Sequence, residues 1–475
     1  MTGSPNKWAV YAVVAVGVLM ATVDSSIVNV SLPVIAGSFG VPLGGEVEWV
    51  VIAYLVVVAA LLLTVGRMAD VLGRKHVWAT GLAVFTVSSA LCGAAPSLGS
   101  LVAFRALQGV GSAGTMAVSP AMLVAAFPRE QRGRALGMNA VIVGLGVSLG
   151  PPLGGVITGH LGWRWIFYVN VPLGVLGVIA SLRILPREKS PAREPIDWIG
   201  AVLLAAGLGA LTGGLSFGAE LGWTSAPLVG CMAIAAVSLP ALVVHVRRAR
   251  YPLVDPRLWQ SRVFASASAS LLLGFIATFA VAVFMPFYFE QLRGLPAERA
   301  GLLLMPLPLT IATVAPFTGA IADRIGTQKL AASGMFIVAG GLAWLSTIDD
   351  HSSFVRVVAN LLVIGVGQAT FQPPNNSALM GAAPRERQGV AAGVLASGRV
   401  VGQSLSVALA GSLFGFFGGT EAARALRGGD LSGPSVHAFL RGMHASLTGC
   451  ALVALAASVT ALVRGSDRSP APQVR

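Results

Sequence analysis

The chain alternates long apolar runs with short polar, mostly basic interruptions along nearly its whole length. A helix needs about 20 apolar residues to cross a bilayer. Runs of that size cover 8–35, 48–65, 77–95, 99–126, 134–158, 165–185, 197–218, 226–246, 263–290, 300–322, 330–348, 354–380, 390–418 and 439–463. The pattern predicts an all-α integral membrane protein with fourteen transmembrane helices. The first run is too long for a signal-peptide core and holds Asp24, so no cleaved leader is expected.

Composition agrees. Hydrophobic residues make up 55% of the chain and charged residues 11%, and the mean hydropathy is +0.78. Soluble domains carry about 25% charged residues. The cysteines, Cys92, Cys231 and Cys450, each stand alone in an apolar run and read as small packing residues. The net charge of +13 is distributed unevenly. With the N-terminus inside, alternate interruptions hold Arg67, Arg74 and Lys75, then Arg129, Arg132 and Arg134, and later Arg247, Arg248 and Arg250. The opposite ones hold only Arg164, Arg293, Arg299, Arg356, Arg424, Arg427 and Arg441. This asymmetry is the positive-inside signal. It places both termini in the cytoplasm and makes the charge a topology device rather than a nucleic-acid surface.

The sequence repeats itself. Pro128-Arg129-Glu130-Gln131-Arg132-Gly133 recurs as Pro384-Arg385-Glu386-Arg387-Gln388-Gly389, and Gly109-Val110-Gly111 as Gly365-Val366-Gly367, both 256 positions on. Gly66, Asp70 and Gly73 recur as Gly319, Asp323 and Gly326. Such a parallel repeat predicts two six-helix bundles, at 1–187 and 258–475, with a linker and two extra helices at 188–257.

Several motifs resemble the major facilitator superfamily, and more narrowly its fourteen-helix drug:proton antiporters. Gly66-Arg67-Met68-Ala69-Asp70-Val71-Leu72-Gly73-Arg74-Lys75 is similar to the superfamily's helix 2–3 loop, and Arg105-Ala106-Leu107-Gln108-Gly109-Val110-Gly111 to its helix 4 motif. Gly146 to Gly155, with Gly150, Pro151 and Gly154, resembles the antiporter motif of helix 5. The segments from Val23 to Pro33 and from Trp163 to Gly174 resemble the helix 1 and helix 6 motifs of the fourteen-helix group. One position departs: Val71 stands where the loop motif usually has a basic residue, whereas the second copy keeps Arg324. The resemblance implies a proton-driven exporter of lipophilic drugs or toxic small molecules working by alternating access, without cofactor. It implies a monomer in a bacterial inner membrane. Export of an endogenous metabolite, antibiotic or lipid is the alternative, and a membrane sensor that kept the fold is a more distant one.

Individual residues carry roles within that frame. Asp24 lies about 24 Å along the first helix, where an ionisable group costs roughly 2.5–3.5 kcal/mol and normally faces a cavity. It is a candidate proton carrier, the bland reading being a packing acid bonded to a neighbour such as Asn29. Arg105, Gln108 and Arg399 are candidate partners in proton coupling, the first two implied by the resemblance. Gly66, Asp70, Gly73, Arg74, Lys75, Asp323 and Arg324 form a candidate cytoplasmic gate, with Asp70 capping the following helix or pairing with a basic residue. Gly146, Gly150, Pro151, Gly154 and Gly155 read as a breakable hinge. Asn29, Trp49, Tyr54, Phe275, Phe284, Tyr288, Gln368, Phe371 and Asn375 are candidate lining for a substrate cavity. Glu46, Glu48 and Glu290 near outer helix ends are candidates for admitting protons or cations, and Glu220 reads as solvated. Six histidines without ligand spacing, and no phosphate-binding Gly-Lys-Ser/Thr motif, argue against a catalytic or metal site and against ATP drive.

Overall fold

The computed structural model describes residues 6–41, 47, 49–186, 195–221, 225–253, 255–427 and 432–464. The linker at 187–194 and the positions of Glu46 and Glu48 lie outside these, as do the side chains of Pro151, Glu220 and Asp323. Every element among the described residues is helical. In order they are α1 (Lys7–Phe39), α2 (Trp49–Leu72), α3 (Arg74–Gly93), α4 (Leu98–Ala126), α5 (Arg132–Leu161), α6 (Trp165–Tyr168), α7 (Asn170–Ile184), α8 (Trp198–Leu221) and α9 (Ala226–Arg248). Then follow α10 (Pro256–Gln260), α11 (Arg262–Phe287), α12 (Ala297–Leu304), α13 (Pro306–Ile325), α14 (Gln328–Leu345), α15 (Phe354–Ala382), α16 (Gln388–Phe416), α17 (Gly419–Arg427) and α18 (Gly433–Leu462).

Local chemistry sets several boundaries. The Ser97 hydroxyl accepts from the Ser100 amide and opens α4, with the Ser100 side chain closing a capping box; Ser353 opens α15 by accepting from the Arg356 amide. Gly73 and Gly326, equivalent positions in the two repeats, both have positive φ (93° and 96°), where a side chain would be strained. Each turns the chain between two helices.

Among the described residues, twelve helices are long and apolar enough to cross a membrane. The sequence pattern predicts fourteen. The two outside this set are 134–158, inside the 30-residue α5, and 197–218, inside α8, where the described part gives only the shorter apolar helix Trp198–Gly214. Large apolar side chains stand exposed on the helices, including Val202, Val237, Phe317 and Leu452. So much exposed apolar surface suits hydrocarbon rather than water.

The chain divides into two compact units. Unit 1 comprises Met1–Pro128, Val141–Pro256 and Pro384–Val401; unit 2 comprises Arg129–Ala140, Arg257–Ala383 and Gly402–Arg475. The inserted helices α8 and α9 therefore belong with unit 1. The start of α5 groups with unit 2 and the start of α16 with unit 1, each the reverse of its sequence half. In unit 2 a large apolar cluster runs from Ala277 through Leu361 and Ile364 to Ala461. In unit 1 apolar packing surrounds a set of charged and polar side chains.

Candidate functional site

That set centres on Asp24, which is fully buried. Its Oδ2 accepts from Arg105 Nη1 at 2.6 Å. Its Oδ1 accepts from Gln108 Nε2 at 2.9 Å and from Asn170 Nδ2 at 3.0 Å. Arg105 Nη1 also donates to Gln108 Oε1 at 2.7 Å, and Arg105 Nε donates to the Val50 carbonyl at 2.9 Å. These bonds fix the amide of Gln108: its oxygen faces the cation and its nitrogen the carboxylate. Arg105 and Gln108 lie one turn apart on α4, which is why both reach one carboxylate. The guanidinium lies 4.4 Å from the Tyr54 ring centroid, and the Tyr54 hydroxyl meets Ser112 Oγ at 2.7 Å. Asn170 contacts Ser89 Oγ at 3.2 Å, and Cys92 Sγ approaches Gln108 Oε1 at 3.7 Å.

The sequence names Asp24, Arg105 and Gln108 together, and the structure brings them together. It places Asn29, offered as a neighbour for Asp24, on the exposed side of α1. Asn170 holds that place instead. Its signal was an amide in Asn170-Val171-Pro172 at a helix start within an apolar run. Tyr54, read as cavity lining, stacks on Arg105 and is 2% exposed. A buried pair whose hydrogen bonds are largely satisfied tolerates its desolvation; removing one partner costs about 3–5 kcal/mol. Among the described atoms of this centre, Arg105 Nη2 lacks a partner.

Next to this centre, α5 lies against α1. A side chain at Gly146 would meet Thr22, one at Gly150 would meet Ser26, and one at Gly154 would approach the Ile27 carbonyl at 2.9 Å. The Ser26 hydroxyl donates to the Gly146 carbonyl at 3.2 Å. These three glycines, four residues apart, form one face on which α1 sits while it carries Asp24. Gly155 points to open space. The helix is continuous from Arg132 to Leu161, as a Gly-Pro stretch embedded in lipid must be, and it is closely packed on α1. Glycine spacing here serves close approach.

At the gate, Asp70 does not cap the helix that follows it; the N-cap of α3 is Gly73, without a side-chain bond. Asp70 is buried and accepts from the amides of Gly389 at 2.8 Å and Val390 at 3.0 Å, at the start of α16. A carboxylate is stabilised at a helix N-terminus. Arg74 stands 3.8 Å from Asp70. Lys75 turns elsewhere, donating to the carbonyls of Leu182 and Leu185 at 2.7 Å each, where it caps the end of α7. Arg324 is exposed. Gly66 meets Gly389 backbone to backbone in unit 1, as Gly319 meets Gly133 in unit 2.

The other lining candidates separate. Phe275, Gln368 and Phe371 border a narrow recess in unit 2 together with Gly274, Thr278 and Gln372. Phe284 packs on Phe414 in the apolar cluster. The Tyr288 hydroxyl donates to the Asp349 carbonyl at 2.7 Å. Asn375 is fully buried, donating to the Ala267 carbonyl at 2.9 Å and accepting from Arg464. Trp49 is half-buried at the start of α2, and Glu290 is exposed. Arg399 is half-buried on α16. The inserted helices are tied by Asp197, which caps Gly200 at 2.8 Å, meets His245 Nε2 at 2.8 Å and accepts from Leu253 N at 3.1 Å.

The profile of the Major Facilitator Superfamily matches residues 14–407. Multidrug resistance protein Stp of Mycobacterium tuberculosis is 32% identical over 398 residues, covering 84% of this chain and 74% of that protein. The tetracenomycin C resistance and export protein of Streptomyces glaucescens is 29% identical over 409 residues, covering 86% and 76%. The fold is similar to that of the proton:xylose symporter XylE, with a TM-score of 0.66 at 14% identity over 96% of this chain and 94% of that one. From the family match over most of its length, the chain belongs to the major facilitator superfamily, a family of membrane transporters.

Proposed function

We propose that the protein is a proton-coupled antiporter exporting lipophilic small molecules, of the fourteen-helix drug:proton type, with α5 and α8 as its remaining two spans. Its termini are cytoplasmic, it works in the inner membrane as a monomer, and it needs no cofactor. The observation that carries this is the buried Asp24–Arg105 pair, at 2.6 Å, at membrane depth. Names of relatives as multidrug and antibiotic exporters support the direction of transport.

The chemistry follows from the donors. Ionised Asp24 accepts three hydrogen bonds and neutralises Arg105. A proton on Oδ2 removes the acceptor of Arg105 Nη1 and leaves the guanidinium without its counter-charge. α1 and α4 then lose their strongest mutual tie, while α1 keeps its glycine seat on α5. Protonation from outside thus changes how α1 is held, and deprotonation inside restores it, which is the two-state element alternating access needs. The Asp70 contact with α16 serves as the cytoplasmic latch, and the recess around Phe371 as part of the drug-binding wall.

The test is uphill transport of a fluorescent lipophilic dye without a titratable amine into proteoliposomes under an imposed pH gradient. The wild type concentrates the dye and Asp24→Asn does not, although Asp24→Asn still equilibrates it. Uphill transport by Asp24→Asn at the wild-type rate removes Asp24 from coupling. A second reading, self-protection by export of an endogenous antibiotic, draws on the tetracenomycin relative. A substrate screen separates the two.

A further inference from the structure

One membrane-embedded cation is unused by the scheme above. Arg399 lies about 16 Å from the start of α16 at Gln388, well inside a 29-residue helix. A guanidinium is charged at every relevant pH. Among the described residues Arg399 makes no ion pair and no hydrogen bond. Nor are its nitrogens among the sealed, unpartnered polar atoms, a group that includes Arg105 Nη2. Its donors are therefore not sealed in by protein.

The packing of α16 shows which neighbours they have. Gly389 and Gly393 lie against Gly66 and Leu63 of α2. Further along, Arg399 comes within electrostatic reach of Tyr54, the residue whose ring also carries Arg105. Two guanidiniums bear on one buried tyrosine. Arg105 is neutralised by Asp24, and among the described residues Arg399 has no acid of its own.

An ionised side chain at this depth is costly and in general faces a water-filled cavity or a partner. The missing partner is an anion, and a guanidinium fork offers a carboxylate or sulfonate two parallel hydrogen bonds. We propose that Arg399 is the contact for a negatively charged substrate group, and that the substrates are amphiphilic organic monoanions, an apolar ring system bearing one carboxylate or sulfonate. This rests on the transport reading given above and names its substrate class. Cationic compounds meet like charge at Arg399 and are disfavoured. Exchange of one such anion outward for one proton inward moves two positive charges inward in effect, so transport responds to membrane potential as well as to pH.

The test uses the full-length protein in proteoliposomes and two dyes with the same rings. 8-Anilinonaphthalene-1-sulfonate carries a sulfonate, and N-phenyl-1-naphthylamine is its neutral analogue. The wild type moves the sulfonate faster under a pH gradient, and an inside-negative potential on the side it leaves accelerates it further. Arg399→Gln lowers sulfonate transport about tenfold and neutral-dye transport less than about twofold, the size of one charge-assisted contact. Arg399→Lys keeps the charge but not the parallel pair of bonds, so it restores part of the sulfonate transport lost in Arg399→Gln, which guards against a folding defect. Equal loss of both dyes in Arg399→Gln, or unchanged sulfonate transport, overturns the assignment. So does a wild type that moves ethidium but not the sulfonate, which leaves the antiport reading standing. A wild type that moves none of the three under the gradient overturns both.

Discussion

The two repeats place the same helix in two different chemical worlds. In unit 1, α4 presents Arg105 and Gln108 to a buried carboxylate. At the same offset of 256, α15 of unit 2 presents Leu361 and Ile364, both fully buried in an apolar cluster. Next to these sites the repeat is kept, with Gly109 and Gly365 both in close contact with a neighbouring helix. At the ends of α2 and α13 the copies agree again: Gly66 meets Gly389 and Gly319 meets Gly133. The glycine contact is duplicated, and the charge centre is not. The difference teaches that one unit carries a buried charge centre where the other is apolar, so exchanging side chains between the copies separates the proposed coupling from packing.

The largest effect is expected where unit 2 is given the unit 1 residue. Leu361→Arg places a cation in an apolar cluster without a carboxylate, at several kcal/mol. Loss of the monodisperse peak in size-exclusion chromatography checks it. Next, Arg105→Leu makes unit 1 resemble unit 2 but strands Asp24. It costs about 3–5 kcal/mol and abolishes uphill transport, as read by melting temperature and dye accumulation. Adding Asp24→Asn recovers much of that stability and none of the transport. If the double variant regains uphill transport, the two units differ in packing alone.

Smaller effects refine the contrast. Gly150→Ala puts a methyl against Ser26 and costs about 1–3 kcal/mol. The equivalent Ser406 in unit 2 is fully buried and its hydroxyl lacks a partner, so Ser406→Ala is near neutral or slightly stabilising. Thermal melts of the two variants side by side decide whether the glycine face belongs to unit 1 alone. Asp197→Ala removes the cap of α8 and costs about 0.5–2 kcal/mol, with transport kept if the inserted pair stands apart from coupling.

Much of this was legible from residue order. Asp24, Arg105 and Gln108 stood out because ionisable and amide groups are rare in apolar runs of this depth. The repeat located its copies at fixed offsets. Asn170 was harder, since one amide at a helix start looks like an ordinary cap, and only the fold brings α7 to α1. Lys75 and Asp70 share a motif, yet one caps α7 and the other holds α16; partners over a hundred residues away cannot be read from a turn. The Gly-Pro stretch would be a loop in water because both residues weaken isolated helices, and its place in an apolar run makes it a packed helix instead. Packed against α1 the glycines let the backbones come close, and the helix runs through.

The central claim is that Asp24 exchanges its proton as substrate binds. It is tested most directly by proton release from purified protein in weakly buffered detergent, followed with a pH-sensitive dye as substrate is added. The account predicts release by the wild type and none by Asp24→Asn, with both proteins still binding substrate. Equal release by the two would place the coupling proton on another group and contradict the account.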